Sequence, residues 1–388
     1  MWLISSLALL LIAIALTLIP WTPVAAGGGL ALLTLLPGMQ LIRWLGLWRG
    51  WGDAKSIVLS VALGLVVMPL LLFWCGWLFG VSRFGIMVVA TLFILLSGGV
   101  NAYFETAPQQ AQPKKPFKIN WLVVVILLVL AVSIILAYTE GETELGSYPI
   151  QMGDWVKHHG VTWSLRHTGI PPADMFFTGM APDATLSYYY FFHLTAASLD
   201  ILRGGLAEVK GAFVLVAVVA SLCFALVFYW LARTLFADKR AAIASLLFVT
   251  FIGGLDIIPT LRQLFNKEGA TSILEAFLTS TEHIDNWTPT QNLRLSMAVT
   301  HYLWVPQHVT GLLIVTLGLY LYRVVPHRGR LLPVIGLLVA GLLGHSTCIA
   351  LVVFVSLLLF ALFQILLAWR TQGRTNALRV LAGYALVA

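Results

Sequence analysis

The run Trp121-Leu-Val-Val-Val-Ile-Leu-Leu-Val-Leu-Ala-Val-Ser-Ile-Ile-Leu-Ala137 contains no ionisable side chain, and Tyr138-Thr-Glu140-Gly-Glu-Thr-Glu144 follows at once. An apolar run of about 20 residues that ends in a burst of charge is the pattern of one helical crossing of a ~30 Å hydrocarbon layer. The pattern recurs at about 2–20, 25–48, 56–80, 84–104, 119–138, 210–236, 240–259, 298–322, 331–346 and 348–369, with a partial run from Leu378. The expected fold is therefore all-α: a polytopic transmembrane helical bundle of about ten complete crossings. The run that begins at Leu378 stops at Ala388, so the chain is expected to be C-terminally incomplete.

Composition agrees. Sixty per cent of the residues are hydrophobic and only 10% are charged, and the mean hydropathy is +0.92, which excludes a soluble core. The net charge of +7 does not point to nucleic acid, because the basic residues sit in short clusters between apolar runs, as topology signals do. Cys75, Cys223 and Cys348 lie singly within apolar runs and read as small buried hydrophobes, not as a disulfide or metal set. Met1–Ile19 lacks a basic leader and a small-residue cleavage site, so it reads as a retained helix.

The basic clusters fix the orientation. They are 43–55 (Arg43, Arg49, Lys55), 114–118, 239–240, 323–330 and 370–379. All five fall on the cytoplasmic side only if Leu186–Leu202 does not cross, which makes that stretch a juxtamembrane or re-entrant element. Residues 1–104 form an N-terminal transmembrane group and 105–118, rich in Gln, Pro and Lys, a cytoplasmic linker. The module 119–388 carries two outer loops, 139–209 and 260–297. The expected location is a prokaryotic cell membrane with the active face outward.

The first outer loop holds the chemistry. It gathers Glu140, Glu142, Glu144, Asp154, Asp174 and Asp183, six of the 16 carboxylates of the chain. A helix is expected from about Gln151 to Thr168, closed by Gly169 and by Pro171-Pro172. At 100° per residue Asp154 and His158 share a face, whereas His159, Trp163 and His167 lie opposite. His159 and His167 stand roughly 12 Å apart along such a helix, too far to chelate one ion, so no metal or other cofactor is expected. Farther on, Tyr188-Tyr-Tyr-Phe-Phe-His193 opens a second helix on which Tyr189, His193 and Asp200 are expected to line one side. Tyr188 and Phe192 suit an interfacial anchor, but His193 and Asp200 do not, since ionisable groups at membrane depth usually face a cavity.

The acid-Trp pair, the short helix, Gly169-Ile-Pro171-Pro172-Ala-Asp174 and Tyr188-Tyr-Tyr-Phe-Phe-His193 together resemble the YYY-motif integral membrane proteins, which group with the GT-C superfamily of membrane glycosyltransferases. The specific likeness spans about Tyr148–Leu199; Phe192 stands where the family commonly has glycine. The resemblance implies a GT-C-like first outer loop, a polyprenyl-phosphate-linked sugar donor, contact with membrane lipid and an acceptor of unknown identity. It also implies an early acidic residue that activates the acceptor, a role best matched by Asp154. In such a transfer a carboxylate takes the acceptor proton while cationic groups stabilise the departing phosphate. His158, one turn after Asp154, would orient or tune it. Lys157, Arg166, Asp174, Tyr189, His193, Asp256, Arg294, His301, Gln307 and His308 are the candidate substrate-binding residues, with His345 a weaker one. Two other readings stand beside this one: a transporter or flippase of a lipid-linked saccharide, and a non-catalytic assembly subunit. The near absence of charge inside the apolar runs favours the enzyme, because carriers bury ions near the midplane.

Overall fold

The computed structural model describes residues 2–104, 120–138, 140–143, 146–149, 155–176, 183–205, 209–251, 305–372, 375 and 378. Their regular structure is helical except for a hairpin of two antiparallel strands, Glu140–Thr143 and Gly146–Pro149, and one bridge between Ala173 and Thr185. In chain order the helices are α1 (Trp2–Leu18), α2 (Thr22–Leu30), α3 (Leu36–Trp44), α4 (Ala54–Phe79), α5 (Arg83–Phe104) and α6 (Trp121–Ala137). Then come α7 (Trp155–Thr168), α8 (Phe191–Leu202), α9 (Val209–Phe236), α10 (Lys239–Phe251), α11 (Pro306–Val324), α12 (Arg328–His345) and α13 (Thr347–Gln372). A π-turn at Ala31–Leu35 joins α2 to α3, so Thr22–Trp44 is one rod.

Six of these helices are long and apolar enough to cross a membrane: Thr22–Trp44, Ala54–Phe79, Arg83–Phe104, Val209–Phe236, Arg328–His345 and Thr347–Thr371. This is an integral membrane architecture. The expected ten crossings are not all met by that measure. α1 and α6 have 17 residues each, the described part of α10 ends at Phe251, and α11 runs for 19 residues from Pro306. The linker 105–118 and the second outer loop 260–297 lie outside the described residues.

Local chemistry sets the helix ends. Asp53 starts α4 by accepting a hydrogen bond from the Ser56 N–H at 3.2 Å, and Asp238 starts α10 by accepting from the Arg240 and Ala241 N–H groups. Those two backbone bonds hold the Asp238 carboxyl below its ordinary pKa. Gly169, at φ +84°, closes α7 as expected from the sequence. Inside the bundle, the Thr22–Trp44 rod and α4 touch backbone to backbone. A Cβ at Gly38 would lie 1.7 Å from the Ser60 carbonyl oxygen, and one at Gly64 would lie 1.9 Å from that of Thr34. Only glycine permits that approach.

Two basic clusters, 43–55 and 323–330, meet at one end of the bundle, beside Trp230 of α9, the helix that leads to the cluster at 239–240. Trp44 Nε1 donates to the Arg330 carbonyl at 2.9 Å, and the Arg330 guanidinium lies 5.6 Å from the Trp44 ring centre. Lys55 Nζ sits over Tyr320 at 4.8 Å and Trp230 at 5.5 Å. The residues of the first outer loop gather at the other end, where Ile170 packs on Gly76 near the close of α4.

Helix α8 belongs to that second end. Its 12 residues rise about 18 Å, short of the ~30 Å a crossing needs. Phe191, at its start, packs on Phe73 with ring centres 5.5 Å apart, and Leu199, near its finish, packs on Gly29. Phe73 and Gly29 each lie six or seven residues, about 10 Å, in from their helix ends. α8 is therefore too short to cross by itself, and eleven of its residues are buried by the surrounding helices.

Candidate functional site

The site is built on α8 and on α7, which packs beside it. His158, Thr162 and Arg166 recur every four residues on α7 and so share one face. Each reaches α8. The His158 and His193 rings stack with centres 5.2 Å apart, and Phe213 of α9 stacks on both. Thr162 Oγ1 lies 3.1 Å from His193 Nδ1 and 2.9 Å from the His158 carbonyl. Farther along, Arg166 Nε lies 2.9 Å from Asp200 Oδ2.

The threonine fixes the tautomer of His193. Its only proton goes to the His158 carbonyl, which can only accept, so Oγ1 must accept from His193 Nδ1–H. The lone pair of the neutral ring then resides on Nε2, which is buried and has no hydrogen-bond partner among the described residues. His193 thus presents an acceptor; it donates from Nε2 only after gaining a proton.

A second group completes the cluster from the far side of the chain. The Tyr188 and Tyr189 rings stack at 4.2 Å, and Tyr188 lies 6.1 Å from His193. Tyr189 Oη is 3.4 Å from His308 Nε2, and His308 Nδ1 is 2.7 Å from Ser346 Oγ. Gln307 Nε2 donates to Tyr188 Oη at 3.3 Å, and the Lys157 ammonium stands 5.9 Å from the Tyr188 ring centre. His158, His193, His308, Tyr188, Tyr189, Gln307 and Lys157 therefore form one neighbourhood drawn from α7, the strand-like entry to α8, and α11.

Behind it lies a charged core. Asp200 is fully buried, and Arg203, three residues on, is 3% exposed and interacts with it electrostatically. The Arg166–Asp200 contact is an ion pair without a directed hydrogen bond, and Arg203 Nε and Nη2 have no hydrogen-bond partner among the described residues. Arg166 turns its Nε toward Asp200, and its side chain is a quarter exposed. Gly205, at φ +66°, turns the chain beneath this group; a Cβ there would stand 2.2 Å from Arg166 Nη2.

Some expectations need amending. α8 begins only at Phe191, so Tyr189 does not share a helix face with His193 and Asp200; the three tyrosines enter in non-helical backbone, which turns Tyr189 toward His308. Asp174 caps a turn, accepting from the Phe176 N–H at 2.9 Å. His345 is buried with its ring edge-on to Phe191 at 5.8 Å. Cys348 is exposed on α13, while Cys223 is buried; all three cysteines are free. Asp154, Asp256, Arg294 and His301 lie outside the described residues. No cluster of three or more His, Cys, Asp or Glu suited to a metal occurs among the described residues. Thr162, Phe213, Arg203 and Ser346 were missed from sequence, although Thr162 follows His158 by one turn and Arg203 follows Asp200 by three residues.

Compared with known proteins, the chain matches no family model, no curated protein and no solved structure.

Proposed function

We propose that this chain is a membrane glycosyltransferase of the GT-C kind, moving a sugar from a polyprenyl-phosphate donor to an acceptor on the non-cytoplasmic side of a prokaryotic cell membrane. The observation that carries the reading is the convergence of His158, His193, His308, Tyr188 and Tyr189, from three separate segments, at the bundle end opposite the basic clusters. Positive charge marks the cytoplasmic end, so this neighbourhood faces outward. A lipid-borne donor needs such a shallow, laterally reachable position.

The reaction joins the acceptor oxygen to the anomeric carbon as the bond from that carbon to the phosphate oxygen breaks. The bonding pair leaves with the phosphate, and the acceptor proton passes to a base. Asp154 is assigned that base, one turn before His158 in the sequence. Lys157 is assigned to meet the phosphate, His308 holds Tyr189 and Ser346 beside it, and Nε2 of His193 accepts a hydrogen bond from a sugar or acceptor hydroxyl. The test is transfer of labelled sugar from a polyprenyl-phosphate donor by the purified protein. Asp154→Asn should lower turnover about 10²-fold or more with donor binding retained, as general-base contributions run at 10²–10⁴; unchanged turnover removes Asp154 from the mechanism.

The buried Arg166–Asp200–Arg203 group supports a second reading, a carrier of a lipid-linked saccharide, because it places charge inside the bundle where sequence suggested almost none. Movement of labelled lipid-linked saccharide across proteoliposomes, abolished by Asp200→Asn and indifferent to Asp154→Asn, would select it over the enzyme.

A further inference from the structure

At the basic end of the bundle, α9 and α10 diverge from their tight turn and leave a groove of about 480 Å³ between them. Its lining is Phe228, Leu231, Ala232, Leu235, Phe236, Ala244, Ser245, Phe248 and Val249. The floor is buried, with Leu231 at 7% and Ala232 at 4% exposure, while the walls Leu235, Phe236 and Phe248 stand more than half exposed. Ser245, the single polar lining residue, donates its hydroxyl proton to the Ala241 carbonyl at 2.8 Å, so it asks nothing of an occupant. A groove of this kind takes hydrocarbon and rejects water.

Charge at the turn says which hydrocarbon. Arg233, Lys239 and Arg240 lie on or beside the turn that joins the two helices next to Phe236 of the groove, against one carboxylate, Asp238. Arg233 reaches the Ala237 carbonyl at 3.4 Å, and the Asp238 carboxylate occupies the Arg240 and Ala241 N–H groups, so neither of those two groups has a proton left for a ligand. The exposed Lys239 and Arg240 side chains do. An apolar slot capped by two available cations matches one acyl chain under one anionic headgroup, and basic pockets between helices near the cytoplasmic surface recognise lipids in this way.

We propose that the α9–α10 groove is a specific binding site for an anionic phospholipid of the cytoplasmic leaflet, its acyl chain between Leu231 and Phe248 and its phosphate on Lys239 and Arg240. The site is remote from the histidine cluster and does not depend on the reaction assigned to it.

The test is native mass spectrometry of the full chain purified in detergent containing equal amounts of phosphatidylglycerol and phosphatidylcholine. The wild type should keep one phosphatidylglycerol in preference to phosphatidylcholine. Replacing Lys239 and Arg240 by Gln should weaken that retention about 30-fold, taking roughly 1 kcal/mol for each basic residue at the surface. Ala244→Trp, which fills the slot and leaves the charges, should displace either lipid. Equal retention of the two lipids, or retention unaffected by both sets of variants, would overturn the proposal. Conversion of a dimer to a monomer by Ala244→Trp, with lipid content unchanged, would assign the groove to a second copy of the chain and overturn it as well.

Discussion

Asp200 is held between two guanidiniums, and that asymmetry makes an ordered set of stabilities. Asp200→Asn keeps the side-chain shape but leaves Arg203, 3% exposed, and Arg166, 26% exposed at its side chain, without a counter-charge. Breaking a buried pair from one side costs about 3–5 kcal/mol. Arg166 can turn its head toward water, which places Asp200→Asn near the lower end, at about 3 kcal/mol. Arg166→Gln should cost only about 1 kcal/mol, since Asp200 keeps Arg203 and the lost partner is a quarter exposed. Replacing Asp200 and Arg203 together by Leu should cost less than Asp200→Asn alone, because the only member of the group left without a counter-charge is then Arg166, whose side chain is a quarter exposed and can reach water. Unfolding followed by tryptophan fluorescence in mixed micelles reads all three. An Arg166→Gln variant as unstable as Asp200→Asn, or a double variant worse than the single one, would refute the assignment of Arg203 as the second partner.

Gly64→Ala places a methyl group 1.9 Å from the Thr34 carbonyl oxygen, backbone against backbone, so the Thr22–Trp44 rod must move away from α4; a loss of about 3 kcal/mol or more is expected in the same unfolding assay. Thr162→Val removes the acceptor for His193 Nδ1–H inside a buried site, which should cost about 1–3 kcal/mol, and Thr162→Ser should restore most of it. A cysteine introduced at Gly204 should react with an impermeant thiol reagent from the face opposite to one introduced at Lys239; labelling of both from the same face would mean that Leu186–Leu202 crosses.

Hydropathy made the membrane class and most helix positions legible because lipid imposes a long, simple constraint: some 20 apolar residues for each crossing. The distribution of Lys and Arg led to the expectation that Leu186–Leu202 does not cross, and the helix there, Phe191–Leu202, is 12 residues long. Side-chain geometry was less accessible. The tyrosine run reads as helical by composition, yet Tyr190 adopts ψ +16° at φ −118° and the helix waits until Phe191. The helix starts three residues after Tyr188, so Tyr189 lies in non-helical backbone and turns toward His308 of α11 instead of along the line of His193. The pairing of Arg166 with Asp200 was hidden for a different reason: they are 34 positions apart, and nothing in either local pattern names the other. The proton arrangement of His193 was equally hidden, because only its contact with Thr162, a tertiary fact, assigns the lone pair to Nε2.

The two polar groups on α8 are one mechanical unit. His193 and Asp200 are seven residues apart, about 10.5 Å along their helix, and their partners on α7, His158 and Arg166, are eight apart, about 12 Å. The close match of these rises, in the same chain direction, means that α7 and α8 lie side by side in register: ring on ring at one end, ion pair at the other, and Thr162 between. Sliding α7 by one turn, ~5.4 Å, would break every one of these contacts together, so the register is over-determined by chemistry and not by apolar packing alone. Such a register is costly to maintain, because each buried polar group must find its partner or destabilise the fold. Its consequence is positional precision for the line of His158, Thr162 and Arg166 that α7 presents to α8.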